Sequence, residues 1–159
     1  MIEDRWLTIA GDEDLPIDVP VIVELERFQN QRDELLRRNA PLGVRLQSDQ
    51  PPSEIAEDLD RFEVVALEFP KFTDGRAFSY ARQLRDHYRY QGEVRAVGHV
   101  LRDQYMFLDR CGFDTLEVAD KNAAEGWRAA NKEFSVWYQP ASGDETPAMV
   151  LRHRASAAD

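Results

Sequence analysis

Hydrophobic positions along the chain alternate between two kinds of stretch. The runs VIVELE (Val21–Glu26), GVRLQ (Gly43–Gln47), VVALEF (Val64–Phe69), EVRAVG (Glu93–Gly98), TLEV (Thr115–Val118) and SVWYQ (Ser135–Gln139) read as strands. Between them lie FQNQRDELLRRN, EIAEDLDRF after a Pro-Pro-Ser start, AFSYARQLRDHY, LRDQYMFLDRCG and NAAEGWRAANKEF, which read as helices. Ile55, Leu59 and Phe62 recur at helical spacing, as do Phe78, Ala81, Leu84 and Tyr88, and Leu101, Tyr105 and Leu108. Ser53 is placed to cap the first of these helices and Gly112 to stop the last in a left-handed conformation.

Strand–helix alternation with short connections predicts parallel strands joined by right-handed crossovers. Sorting strand residues by side puts Val44, Leu46, Val65, Leu67, Phe69, Val94, Ala96, Leu116 and Val118 on one face. The other face takes Arg45, Gln47, Glu68, Arg95, His99, Thr115 and Glu117. A sheet covered by helices on both faces reads as nearly unbroken apolar runs, and these strands do not. In sequence order Arg45, Glu68, Arg95 and Glu117 place opposite charges on neighbouring strands. That order belongs to a barrel, with helices outside and polar groups inside. The predicted fold is therefore α/β, a mostly parallel sheet of five or six strands in a half-barrel or barrel-like arrangement. A flavodoxin-like sheet is the alternative, and it buries these charges under helices at a desolvation cost.

The 159 residues, 43% hydrophobic and 31% charged, suit a single domain over residues 1–140 with a polar, flexible tail over 141–159. The N-terminus has no secretory pattern, and no apolar run approaches the ~20 residues of a membrane helix. The single cysteine, Cys111, cannot close an internal bridge, so the expected compartment is the cytoplasm. At the end of a helix and before a glycine, it reads as a packing residue. A formal net charge of −10 disfavours nucleic acid and anionic lipid as partners.

Ligands of α/β sheets gather at the carboxyl ends of the strands. The polar groups predicted there are Gln47, Ser48 and Asp49; Glu68, Lys71, Thr73, Asp74 and Arg76; His99, Arg102, Asp103 and Gln104; and Glu117, Asp120 and Lys121. Lys71, Arg76 and Arg102 suit a small anionic ligand, while His99, Asp74 and Asp103 are the candidate acids and bases. The same residues have structural uses. Thr73 or Asp74 can cap the following helix, Gly75 can supply a positive φ or a close approach, and Arg76 and Arg102 can pair with Asp74 and Asp103. No ligand set for zinc or an iron–sulfur centre occurs, and no dinucleotide, P-loop or serine-hydrolase motif, so no cofactor is encoded by a recognisable motif.

The stretches FPKFTDGRAFSYARQLR, GEVRAVGHVLRDQ and RCGFDTLEV, with LERFQNQRDELLRRNAPLGVRLQSDQ upstream, resemble a bacterial family of unknown function over residues 20–119. Its members are also described as oxidoreductases involved in sulfite reduction. The resemblance implies a role in sulfur assimilation, as an accessory protein acting through an anion site at the strand ends or by docking to reductase components. An oxidoreductase without its own redox motif needs a borrowed cofactor or a partner that holds one. Two other classes remain open. One is a barrel-type lyase, isomerase or transferase for a small anionic metabolite. The other is a structural subunit whose polar sheet face forms an interface, including a homodimer.

Overall fold

The strand runs pair edge to edge in chain order. In a computed structural model, which describes residues 5–11, 13–71 and 73–117, six parallel strands lie in the order β1-β2-β3-β4-β5-β6 and curl into a half-barrel. They are β1 (Leu7–Ile9), β2 (Val21–Glu24), β3 (Leu42–Leu46), β4 (Val64–Phe69), β5 (Glu93–Gly98) and β6 (Thr115–Leu116). Helices α1 (Leu25–Asn30) and α2 (Arg32–Leu36) join β2 to β3, and a 3₁₀ helix (Pro52–Arg61) joins β3 to β4. Helix α3 (Arg76–Arg82) runs into a π-helical turn (Gln83–His87) before β5, and α4 (Tyr105–Cys111) precedes β6.

The sequential order is the barrel order that the face sorting predicts, rather than the flavodoxin-like alternative. Among the described residues one strand is additional to those the pattern predicts. It is β1 at the N-terminus, three residues that are too short to show a period and are held by pairing Leu7 to Val21 and Ile9 to Val23. The predicted strand Ser135–Gln139, the helix before it and the tail over 141–159 lie outside the described residues.

The helix-facing side carries the core. Val44, Leu46, Val65, Leu67, Phe69, Val94 and Ala96 are all fully buried against Phe28, Leu35, Ile55, Ala81, Leu84 and Leu108. Burying each large aliphatic or aromatic side chain contributes roughly 1.5–3 kcal/mol. An aromatic group closes the β4–α3–α4 corner: Phe78 lies 5.0 Å from Phe69 and 4.7 Å from Phe107, ring centre to ring centre. Cys111 is buried within the core, and burial pushes its thiol pKa up. Gly112 does end α4 in the left-handed region, at φ 94°.

Two local expectations are corrected. Ser53 does not cap its helix: Pro51 is the boundary residue, Pro52 begins the helix, and no side-chain cap bond forms. Leu101 is exposed and precedes α4, so that stripe starts at Tyr105.

The second sheet face is not simply charged. Trp6, Ile22, Val64, Ala66 and Val97 form a small buried cluster there, and Gly43 leaves room for it. A Cβ on Gly43 would stand 2.3 Å from Val64 Cγ1. Glu68 also does not stand beside Arg45 and Arg95 in a cross-strand row. The register places Arg45, Ala66, Arg95 and Thr115 side by side, with Glu68 opposite Val97 one pleat further on. Charge pairing is therefore diagonal or within a strand: Arg45 Nη2 meets Glu68 Oε1 at 3.1 Å, and Arg95 Nε meets Glu93 Oε1 at 2.8 Å. Thr115 Oγ1 donates to the same Glu93 oxygen at 2.5 Å.

Candidate functional site at the carboxyl edge

The exits of β3 and β4 are joined by one arginine. After β4, a turn closed by Asp74 N on Lys71 O (3.0 Å) brings Asp74 to the start of α3. Asp74 Oδ1 accepts from Arg76 Nε at 3.0 Å and from the Arg76 main-chain N at 3.2 Å, while Oδ2 accepts from Nη2 at 2.7 Å. Arg76 Nη2 also donates to Ser48 Oγ at 2.9 Å, at the exit of β3. Tyr80, one helical turn after Arg76, donates its hydroxyl to Ser48 O at 3.0 Å. Ser48 is thus gripped twice from α3, and the two strand exits are fixed relative to each other.

This arrangement assigns Asp74 and corrects Gly75. Asp74 satisfies a first-turn amide from one position before the helix boundary, where the boundary residue is Gly75. Gly75 has φ −90° and its nearest neighbour to an added Cβ is 3.8 Å away, so neither a positive φ nor a close approach requires glycine. The Arg76 guanidinium beside Asp74 holds its carboxyl well below the usual carboxylate range, and Asp74 in turn raises Arg76. A carboxylate so placed holds a proton more weakly than an unpaired one.

The remaining candidates sit on neighbouring exits. Lys71 and His99 are exposed, and the two loops start side by side because Phe69 pairs with Gly98. Gly98, at φ 92°, lets His99 N reach Phe69 O at 2.8 Å; a Cβ there would meet that oxygen at 2.6 Å. Arg102 opens the 3₁₀ turn Arg102–Gln104, with Asp103 exposed in its first turn. Gln104 Oε1 accepts from Leu101 N at 3.1 Å. Glu117 is exposed just past β6, its main-chain N bonded to Ala96 O at 2.9 Å. Asp120 and Lys121 lie outside the described residues. Among the described residues no cluster of His, Cys, Asp or Glu suits a metal ion, and no helix is long and apolar enough to cross a membrane.

What the carboxyl edge offers chemically is an oriented guanidinium whose charge is paired with Asp74. The Arg76 guanidinium is committed to Asp74 and Ser48 through Nε and Nη2, while among the described residues Nη1 makes no hydrogen bond and the side chain is 54% exposed. Lys71 adds a second exposed cation one turn upstream. Sequence reading placed Ser48 at this edge but missed Tyr80. Its four-residue spacing from Arg76 was the available signal.

A family model described as a bacterial protein of unknown function matches residues 43–149, well over half of the chain. The chain belongs to that family, DUF934. The matched DUF934 region opens on β3 and includes both strand exits joined by Arg76. No curated protein matches the chain.

Proposed function

We propose that this DUF934 protein is an accessory protein of assimilatory sulfite reduction that holds a small oxyanion at the carboxyl edge of its half-barrel and works beside reductase components. The observation carrying the reading is the Arg76 guanidinium. Asp74 and Ser48 fix its orientation, its outer nitrogen is uncommitted among the described residues, and the exposed Lys71 opens the same turn. A planar, permanently charged donor set in place before the ligand arrives loses little freedom on binding. The sulfur assignment rests on the resemblance of the Phe69–Val118 stretches to proteins described in those terms.

In the lyase, isomerase or transferase alternative His99 or Asp74 is the acid or base. The bidentate pairing of Asp74 with Arg76 speaks for the binding role and against Asp74 as that group, and His99 stays open to that alternative. Electron transfer in this reading belongs to a partner or a borrowed cofactor. The test is a calorimetric titration with sulfite and sulfate against wild type, Arg76→Ala and Lys71→Ala, paired with growth of a deletion strain on sulfate. Binding lost in Arg76→Ala, together with slowed growth on sulfate, supports the proposal. Normal growth and normal sulfite reduction without the gene would sink it.

A further inference from the structure

A depression lies at the opposite, amino edge of the sheet. It holds about 530 Å³ between the end of the 3₁₀ helix and the segment leading into β5. That volume falls within the usual range of small-molecule sites. Its walls are mainly apolar and aromatic, with Leu59, Phe62, Tyr88 and Tyr90, and its polar groups include Asp60 and Arg89.

The walls are already in place. Tyr90 donates its hydroxyl to Phe62 O at 3.0 Å, which ties the two sides together. Arg85, projecting from the π-helical turn, donates to Tyr90 O at 2.7 Å and Gly92 O at 2.9 Å, and its guanidinium lies 5.8 Å from the Tyr90 ring centre. His87 packs edge-on against Tyr88 at 4.7 Å.

Arg89 is the second independent observation. It has φ 55°, the one non-glycine residue in the left-handed region among those described. Tyr90 N bonds to Leu84 O at 2.9 Å across it, so Arg89 occupies the position after a helix where glycine is the ordinary residue. An arginine there is less favourable for the backbone than glycine. Its side chain is exposed and makes no ion pair or hydrogen bond among the described residues, so no such bond there offsets that disadvantage.

We propose that this depression is a binding site for a planar aromatic monoanion, its ring against Phe62, Tyr88 and Tyr90 and its charge met by Arg89. Aromatic walls select a flat ring, and a guanidinium selects a carboxylate or sulfonate. Asp60 on the same lining disfavours a second negative charge and accepts from a ring hydroxyl or amine. This site is separate from the carboxyl-edge oxyanion reading and does not depend on it.

The experiment is a fluorescence titration with 1-naphthoate, with amide shifts followed by NMR and the neutral 1-naphthalenemethanol as comparison. Expected are saturable single-site binding, shifts confined to 56–62 and 88–92, and weaker binding of the alcohol. Arg89→Gly relieves the backbone and removes the charge, so it raises or preserves the melting temperature while weakening 1-naphthoate roughly tenfold. Arg89→Gln, which keeps the side-chain bulk, weakens it similarly, and Ala56→Leu weakens it by filling the space. Sulfite does not compete. The proposal is overturned by absence of saturable binding to wild type at millimolar 1-naphthoate. Equal affinity in Arg89→Gly or equal affinity for the neutral alcohol overturns it too.

Discussion

Asp74 grips the Arg76 guanidinium with both carboxylate oxygens, at 3.0 and 2.7 Å, and so turns two sequence candidates into one unit. The pair orients an exposed guanidinium and ties up both oxygens of its carboxylate. Its pH dependence follows from the direction of the Asp74 shift. The folded-state pKa is depressed below the unfolded value of about 3.9, so the contribution to stability is present above that pH. It is lost as pH falls through the folded value. Urea midpoints of wild type and Asp74→Asn are expected to differ modestly at neutral pH and to converge on acidification below about pH 4. In Arg76→Ala the Asp74 carboxyl, followed by carbon NMR, should titrate in the ordinary carboxylate range.

Arg85 is expected to be far more important to stability than its place on a helix surface suggests. It donates to Gly112 O at 3.0 Å as well as to Tyr90 O and Gly92 O, and it pairs with Asp114. Asp114 also accepts from Val94 N at 2.7 Å, so one side chain links the π-helical turn, the approach to β5 and the end of α4. Arg85→Met leaves three carbonyls short of a donor and should cost about 2–4 kcal/mol in urea unfolding. Arg82→Met, which among the described residues removes an exposed pair with Asp86 at 3.7 Å, should stay within about 0.5 kcal/mol.

Two glycines should separate clearly. Gly98→Ala forces a side chain into the left-handed region and against Phe69 O, and should destabilise by about 2 kcal/mol or more. Gly75→Ala meets neither obstacle and should change stability by less than about 1 kcal/mol. Thermal melts of the two variants side by side check this.

Tyr90 sets an alkaline limit. Burial pushes its phenol well above the ordinary value, so the unfolded chain ionises first, near pH 10. Its contribution is whole below that pH and is lost as pH rises toward the folded-state value. Wild type should weaken above about pH 10 in tyrosinate-monitored unfolding. Tyr90→Phe should be about 1 kcal/mol less stable at neutral pH, for want of the bond to Phe62 O, with a flatter alkaline decline.

Much of the architecture was legible because it is local. The bounds of β4 and β5 fall where the pattern puts them, Gly112 stops α4, and the split of strand residues into two faces implies helices on one side only. The candidate site was legible only as a set of residue types. Arg76 and Asp74 were known to be close in sequence, but nothing in the string shows that Ser48, 28 residues away, completes the arrangement. The depression at the amino edge left no motif, because its walls come from two segments that meet only after β4 and β5 pair.

The sequence by itself determined the element order, the core-facing residues and the membership of a sequential parallel sheet. Periodicity records which side of each element is apolar, and that is a property of neighbouring residues. The tertiary structure alone decided the register that sets Glu68 diagonal to Arg45, the reach of Arg76 across to Ser48, and the recruitment of Leu7–Ile9 as an edge strand. Each depends on where one strand begins relative to the next. A slip of one residue reverses which face a side chain occupies, and a shift of two changes which charges meet. That offset is fixed by hydrogen bonds and packing summed across the whole sheet.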